Sequence, residues 1–143
     1  MSTLRPDEVK IDALLRNAKT IAVVGASADP RKPSHQITKY LLDAGYTVFP
    51  VNPKETEILG QTSYPDLASV PASIDIVDVF RRAEHTPEVV RAAVDAGAHA
   101  VWLQLGISNE ESRALATEAG LEYVEDKCIK IEHTMLEIPT KTH

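Results

Sequence analysis

Basic residues follow three apolar, strand-like runs of this chain. Because the carboxyl ends of parallel strands meet at one edge of a sheet, side chains that follow such strands converge there. Clustered cations bind phosphate groups, so the pattern predicts a site for a ligand with several phosphates. A solvated surface charge is the alternative for any one of them. The chain is acidic overall, with a net charge of −6, and these are five of its fifteen lysines and arginines: Arg31, Lys32, Lys54, Arg81 and Arg82.

Small residues open the first of these segments, which covers residues 25–34. Gly25-Ala26-Ser27 allows the backbone to approach a ligand closely. The helix expected to follow presents free N–H groups and the positive end of its dipole to a phosphate. The segment matches neither the GxGxxG dinucleotide motif nor the GxxxxGK[ST] P-loop. Taken alone, it leaves open an ordinary strand–helix turn and a phosphate site.

The second segment, Val51-Asn52-Pro53-Lys54, argues against a nicotinamide dinucleotide. An NAD site normally places an aspartate or glutamate at the end of the second strand, where it binds the ribose hydroxyls. Asn52 occupies that place here, and no acid follows before Glu55. The segment therefore favours a ligand that carries more phosphate than NAD does.

The histidines show no pattern that predicts catalysis or metal binding. No HExxH motif and no short metal-ligand spacing occurs among the five of them. His35, close to the predicted start of a helix, is the one that merits a test. Structural or solvated roles are expected for the others, which are His85, His99, His133 and His143.

Two aspartates interrupt the third strand-like run. Asp75 and Asp78 are three residues apart, so in a strand they point to opposite faces and cannot act as a paired carboxylate. Asp78 lies near the ligand end of the strand, where we expect it to hydrogen-bond to the backbone. No nucleophile–base pair is predicted from spacing anywhere in the chain.

Apolar runs alternate with amphipathic helical segments along the chain. Each helical segment lies between two strand-like runs, which is the βαβ arrangement of a parallel sheet. Near-continuous, β-branched runs are typical of strands covered by helices on both faces. The pattern predicts one three-layer α/β domain over residues 1–143, with a mostly parallel sheet of about five strands from residues 20–24, 47–51, 74–80, 99–105 and 121–124.

Four helices are predicted from apolar periodicity and capping residues. The first covers about residues 7–18, and the second ends before Gly45. Thr86 and Pro87 predict the N-cap and the first residue of the third helix, and Ser108 with Glu111 predicts a capping box for the fourth. Residues 53–72 fit the pattern least well and are predicted to form a loop with one short strand and a turn of helix.

The composition is that of a small soluble domain. Hydrophobic residues make up 43% and charged residues 25% of the chain, close to the globular average. A single cysteine excludes an intramolecular disulfide and indicates a reducing compartment, so we expect a cytoplasmic protein. The opening MSTLRPDEVK indicates no signal peptide, and no apolar run suits a membrane span. The negative net charge argues against nucleic-acid and membrane binding.

Six segments follow one another in a specific order and spacing. They are Val24-Gly25-Ala26-Ser27, Arg31-Lys32-Pro33-Ser34, Val51-Asn52-Pro53-Lys54, Asp75-Ile76-Val77-Asp78-Val79-Phe80-Arg81, Val101-Trp102-Leu103-Gln104-Leu105-Gly106 and Asp126-Lys127-Cys128. Together they resemble the stand-alone CoA-binding proteins. That family is similar to the CoA-binding domain of the succinyl-CoA synthetase α-subunit and of ADP-forming acyl-CoA synthetases. The resemblance covers residues 20–132, which is nearly the whole chain.

The resemblance implies a Rossmann-like fold that holds coenzyme A across the carboxyl ends of the strands. At the phosphate end, the matching residues are Gly25, Ala26 and Ser27 of the glycine-rich loop, Arg31, Lys32 and Ser34 of its cation-bearing continuation, and Asn52, Pro53 and Lys54 after the second strand. Along the adenine and pantetheine path they are Val79, Phe80 and Arg81, followed by Gln104, Leu105 and Gly106.

The function implied by the resemblance is binding of coenzyme A or an acyl-CoA, without catalysis by the module itself. Succinyl-CoA synthetase works through a phosphohistidine on a second domain and a nucleotide-binding subunit, and neither fits into the 11 residues after Glu132. Two alternatives stay open. One is a detached subunit of an ADP-forming acyl-CoA synthetase, whose protein partner is unknown. The other is an NAD(P)-binding regulatory domain.

Cys128 marks one departure from the family pattern. Family members commonly have proline after this cysteine, whereas this chain has Ile129. We expect Cys128 to be a small buried side chain. The alternative is a thiol near the pantetheine end that forms a mixed disulfide with coenzyme A.

Overall fold

A five-stranded parallel sheet forms the centre of the structure. The computed structural model describes residues 4–142, so the expectations for His143 and for the first three residues lie outside the described part of the chain. In chain order the strands are β1 (Thr20–Val24), β2 (Thr47–Val51), β3 (Glu57–Ile58), β4 (Gln61–Thr62), β5 (Ile76–Val79), β6 (Ala100–Leu103) and β7 (Glu122–Val124). The sheet order is β2-β1-β5-β6-β7, and β3 pairs with β4 in a separate antiparallel hairpin.

Helices cover both faces of the sheet. One face carries α1 (Pro6–Asn17), α2 (Pro33–Asp43) and α5 (Ile129–Met135), and the other carries α3 (Thr86–Asp95) and α4 (Glu110–Glu118). The apolar residues beneath α1, α2 and α5 form the first core layer, and those beneath α3 and α4 form the second. Within residues 4–142, no helix is both long and apolar enough to cross a membrane.

The strand register aligns the carboxyl ends of the central strands. Val24, the last residue of β1, pairs with Val51 at the end of β2 and with Val79 at the end of β5. The predicted three-layer α/β fold with a five-stranded parallel sheet is confirmed. The loops that follow these three strands therefore begin side by side at one edge of the sheet.

Local details differ from the sequence prediction in residues 53–72 and at α5. Residues 53–72 contain two short strands, β3 and β4, and a 3₁₀ turn at Leu67–Ser69, where one strand was predicted. The helix α5 was not predicted, because its seven residues are too few for a clear apolar period. The start of α5 is held by a residue from elsewhere in the chain, because the amide of Ile129 donates to Oε1 of Gln104 at 3.2 Å.

The structure also corrects the predicted N-caps of α3 and α4. The capping box of Ser108 and Glu111 is wrong, because the N-cap of α4 is Asn109, whose side chain accepts from the amide of Ser112 at 2.8 Å. Thr86 is the first residue of α3 and not its N-cap. A 3₁₀ turn at Ala83–His85 leads directly into α3, and the Thr86 hydroxyl donates back to the Ala83 carbonyl at 2.8 Å.

Asp78 is a buried acid in the central strand β5. It pairs in register with Val23 and Trp102, which belong to the first core layer, and its exposed fraction is 0%. The expected hydrogen bond to the backbone is wrong, since neither carboxylate oxygen has a hydrogen-bond partner. Burial therefore raises the pKa of Asp78 well above its usual value.

Asp75 makes the backbone contacts that were expected of Asp78. Its Oδ2 accepts from the amides of Lys19 and Thr20 at 2.7 and 3.1 Å, at the amino end of β1. Asp75 therefore joins β5 to β1 at the edge of the sheet opposite the predicted ligand site.

Replacing Asp78 with asparagine is expected to reduce the pH dependence of stability. Because burial raises the pKa of this carboxyl, the folded protein keeps its proton to a higher pH than the unfolded chain, which ionises it near pH 4. The free energy of unfolding of the wild type therefore falls as the pH rises above about 4, by up to about 1.4 kcal/mol per pH unit. Asparagine cannot ionise, so the variant should gain stability relative to the wild type between about pH 5 and about pH 7.

Urea unfolding of both proteins at the two pH values measures this difference. The control is Asp95→Asn, which makes the same substitution at an exposed acid in the last turn of α3 and should alter the pH dependence of stability less than Asp78→Asn does. The same difference at both pH values for Asp78→Asn would contradict the assignment of a protonated buried carboxyl.

Candidate functional site

The direction of the strand order changes at β1. The chain passes from β1 to β2 on one side, and after β3 and β4 it returns to β5 on the other. In a parallel sheet, such a switch point leaves a crevice at the carboxyl ends of the strands, where ligands bind. A cleft of about 600 Å³ opens at these strand ends, and its wall includes Gly25, Asn52, Pro53, Lys54 and Arg81.

Gly25 brings the ends of three strands together. Its φ of +89° lies in the left-handed region, and a Cβ atom there would overlap the carbonyl oxygen of Phe80. The amide of Gly25 donates to the Val51 carbonyl at 3.0 Å, and the amide of Phe80 donates to the Val24 carbonyl at 2.8 Å. This close backbone approach requires glycine at the start of the loop.

Polar side chains hold the loop between β1 and α2. Ser27 Oγ accepts from the amide of Asp29 at 3.0 Å. The Asp29 carboxylate accepts from the Arg31 amide at 2.9 Å, and from its Nε and Nη2 at 3.1 and 3.0 Å. The bonds from Arg31 hold the pKa of Asp29 below its usual value. Arg31 is therefore paired within its own loop, and it does not line the cleft.

The first residues of α2 continue this loop. The side chain of Lys32, which precedes the helix, is exposed, whereas Ser34 is buried. His35 is half-buried, and its Nδ1 lies 2.8 Å from the carbonyl oxygen of Ser27. The histidine singled out by the sequence thus joins the loop to α2.

Asn52 connects the loop after β2 to the loop after β1. Its Nδ2 donates to the Ala26 carbonyl at 2.8 Å, and its Oδ1 accepts from the Lys54 amide at 2.9 Å. Both ends of the side-chain amide are therefore engaged with backbone. Pro53 and Lys54 are exposed, and both line the cleft.

The residues at the end of β5 lie in different environments. Val79 is fully buried in the second core layer, and Phe80 is half-buried against the first. The side chain of Arg81 is 41% exposed, and its Nη2 lies 3.8 Å from Oε1 of Glu88. Of the three predicted site residues here, Arg81 lines the cleft.

The loop after β6 lies at the same edge of the sheet and is hydrogen-bonded to the segment after β7. Gln104 is buried beneath α5, whereas Leu105 is 63% exposed. The amide of Gly106 donates to Asp126 Oδ1 at 2.7 Å, and the amide of Asp126 donates to the Ile107 carbonyl at 3.0 Å. These bonds fasten the β6 loop to the segment that leads into α5.

The structure therefore divides the predicted site residues into two groups. The cleft brings together Gly25, Asn52, Pro53, Lys54 and Arg81. The others lie outside its wall, in the core, on the first loop or in the β6 loop: Ala26, Ser27, Arg31, Lys32, Ser34, Val79, Phe80, Gln104, Leu105 and Gly106.

Several cleft residues were missed by the sequence prediction. Glu88 lies in the first turn of α3, and the spacing of Val89 and Ala92 on that helix could have indicated a face towards the cleft. No comparable signal marked Asp66 and Leu67, because they lie in the segment with the weakest pattern. Their place in the wall depends on how residues 53–72 fold back over the strand ends.

The segment before α5 is anchored to the sheet. Trp102 is fully buried, and its Nε1 donates to the Lys127 carbonyl at 2.8 Å. The next residue, Cys128, is half-buried at the start of α5 and packs against the first core layer. Within the described residues, no group of histidine, cysteine and acidic side chains is placed to hold a metal ion.

The strand order and the cleft at its switch point define a Rossmann-like domain. The sequence profile of the family described as "CoA binding domain" matches residues 19–134. The chain therefore belongs to this family of CoA-binding domains, as its sequence motifs predicted.

Relatives of two kinds are similar to this chain. YneT of Bacillus subtilis (strain 168) is 39% identical over 130 residues, which cover 91% of this chain and 96% of YneT. The solved structure of a hypothetical protein from Pyrococcus horikoshii OT3 has a TM-score of 0.89 at 40% identity and covers 96% of this chain and 99% of that one.

The second kind of relative is much longer. The α subunit of the ADP-forming acetate–CoA ligase II of Pyrococcus furiosus is 26% identical over 129 residues, which cover 82% of this chain. The chain spans 28% of that subunit. The protein is thus a CoA-binding-family domain related to ADP-forming acetyl-CoA synthetase subunits.

Replacing Gly25 with alanine is expected to destabilise the fold more than the same change at Gly97. Both glycines have positive φ, so both substitutions carry the cost of a left-handed backbone, about 1–2 kcal/mol. At Gly25 the new Cβ atom would also overlap the Phe80 carbonyl oxygen, which adds a cost of about 1–3 kcal/mol. Nothing lies within 4 Å of a Cβ atom at Gly97.

Urea unfolding of Gly25→Ala, Gly97→Ala and the wild type separates the two costs. Equal losses in the two variants would mean that the ends of β1 and β5 separate without cost and that the close approach is unimportant for stability.

Proposed function

We propose that this chain binds coenzyme A or an acyl-CoA at the carboxyl ends of β1, β2 and β5, without catalysing a reaction on its own. The observation that carries the proposal is the cleft at the switch point, with Gly25 at its floor and Lys54 and Arg81 on its wall. Membership of the CoA-binding domain family supports the identity of the ligand.

The cleft offers the two kinds of surface that coenzyme A requires. Lys54 and Arg81 can bind phosphate oxygens, since lysine and arginine form strong, charge-assisted hydrogen bonds with phosphate. Apolar side chains cover another part of the wall, and these suit an adenine ring: Val24, Val51, Leu67, Val89 and Ala92. A volume of about 600 Å³ lies within the usual range of ligand pockets.

Coenzyme A is longer than this cleft, so we assign the rest of the ligand to the neighbouring loops. Lys32 and Arg31 lie on the first loop and its junction with α2, within the proposed phosphate region. The exposed Leu105 and the Gly106 backbone provide a path for the pantetheine arm along the end of β6. The side chains of Ala26 and Val79 are fully buried, so we limit their contribution to main-chain contacts.

The environment of Asn52 supports coenzyme A over NAD. Its Nδ2 and Oδ1 both bind backbone groups, so the side chain is committed to joining two loops. It is also an amide, where an NAD site normally has a carboxylate for the ribose hydroxyls. For NAD, a regulatory dinucleotide-binding domain is therefore the weaker proposal.

A second candidate function follows from the ligase relatives. The similarity to an acetate–CoA ligase α subunit supports a role as a detached component of an ADP-forming acyl-CoA synthetase. Such a role needs a partner chain that carries the phosphohistidine and the nucleotide site. Affinity purification of the tagged full chain, followed by mass spectrometry, should recover that partner, and its repeated absence would count against this candidate.

Coenzyme A is expected to raise the melting temperature of the protein, whereas NAD and ATP are not. At a ligand concentration about a hundredfold above the dissociation constant, binding stabilises the fold by about 2.7 kcal/mol, which is roughly 5–10 °C for a domain of this size. Lys54→Ala should weaken binding about tenfold or more, because it removes a charged hydrogen bond to phosphate.

The matched control is Lys39→Ala, at an exposed lysine of α2 that pairs with Asp43 and lies outside the cleft. It should bind coenzyme A like the wild type. A shift with NAD in place of coenzyme A would overturn the assignment of the ligand. No shift with any of the ligands would mean that Lys54 and Arg81 are solvated surface charges.

A further inference from the structure

The wall of the cleft contains as many acids as bases. Lys54 and Arg81 line it together with Asp66 and Glu88. The formal charge of the wall is therefore balanced, although a ligand with several phosphates binds best to a surface with excess positive charge. A phosphate can pair fully with a cation of the wall only if that cation leaves the acid to which it is already bound.

The two acids differ in what they already bind. Asp66 Oδ1 accepts from the amide and the hydroxyl of Ser69 at 2.9 and 2.7 Å, and so holds the 3₁₀ turn at Leu67–Ser69. Within the described residues, the Glu88 carboxylate makes no hydrogen bond, and its partner is Arg81 at 3.8 Å. Glu88 holds no turn in this way. Apart from its pair with Arg81, its charge lies in the first turn of α3, where an acid interacts favourably with the helix dipole.

Two of the arginines predicted to bind phosphate, Arg31 and Arg81, also differ in what they already bind. The guanidinium of Arg31 donates two hydrogen bonds to Asp29 in the same loop, and the Arg31 amide donates a third. Arg81 has a single, longer ion pair to Glu88, and both side chains are well exposed. Exposed ion pairs of this kind contribute little to stability, so Arg81 can change its partner easily.

We propose that Glu88 is an internal competitor for Arg81, which a phosphate of the ligand displaces on binding. The inference rests on the proposed function, because it concerns the same cleft. Glu88 thereby lowers the affinity for phosphorylated ligands and favours those with enough phosphate charge to replace it. Its carboxylate makes binding weaker and more easily reversed than the lysine and arginine alone would.

The variant Glu88→Gln tests this proposal, since glutamine keeps the size of the side chain and removes its charge. Isothermal titration of coenzyme A into the full chain at low ionic strength should show binding about threefold to fivefold tighter than that of the wild type. Because salt screens exposed charges, the gain should fall below about twofold at about 0.5 M salt. Glu88→Ala, which also removes the carboxylate, should show the same direction of change.

Two further variants show whether the effect passes through Arg81. In an Arg81→Gln background, adding Glu88→Gln should give a clearly smaller gain than in the wild type, because the exchange partner is gone and only direct repulsion between Glu88 and the ligand is removed. Glu84→Gln, at an exposed acid of the 3₁₀ turn at Ala83–His85, makes the same change in net charge outside the cleft and should change the affinity clearly less than Glu88→Gln does.

The outcomes separate the inference from the function on which it rests. A wild type that does not bind coenzyme A would overturn the proposed function. A wild type that binds, with Glu88→Gln equal or weaker in affinity, would overturn the competitor role alone. A gain of equal size in the Arg81→Gln background would also overturn it, because Glu88 would then act on the ligand without the arginine.

Discussion

The contact between the Gly25 backbone and the Phe80 carbonyl sets how closely the ends of β1 and β5 approach each other. The cleft, the two loops beside it and the placement of Lys54 and Arg81 all depend on this approach. Backbone groups of three strands meet there through hydrogen bonds rather than through side chains. The floor of the site is therefore main chain, and its chemical character is supplied by side chains from the loops around it.

Many polar side chains of those loops form hydrogen bonds with the backbone of the loops themselves. Buried and turn-forming amides require partners, and here Asp29, His35 and Asn52 bind loop amides or carbonyls. Side chains committed in this way keep the loops in one conformation, which reduces the ordering that a ligand must impose. The same commitment leaves fewer polar side chains of these loops free to face a ligand.

The sequence predicted the strands and their convergence because both follow from local patterns. Apolar runs locate buried strands, and alternation with helices forces a parallel sheet, so Gly25, Lys54 and Arg81 had to meet at one edge. Side-chain pairing could not be predicted, since Arg31 with Asp29 and Arg81 with Glu88 depend on distances in three dimensions. The helix α5 also escaped prediction, because it is only seven residues long and its first amide binds Gln104, which is distant in the sequence.

Trp102 gives this domain a built-in optical probe. It is the chain's only tryptophan and is fully buried. Its indole N–H donates a hydrogen bond to the carbonyl of Lys127, the residue before Cys128. Its emission therefore reports on one place, the junction where β6, the segment after β7 and α5 are held together. Detachment of that junction changes the polarity around the indole, so its behaviour can be followed by fluorescence, without a label and separately from the cleft.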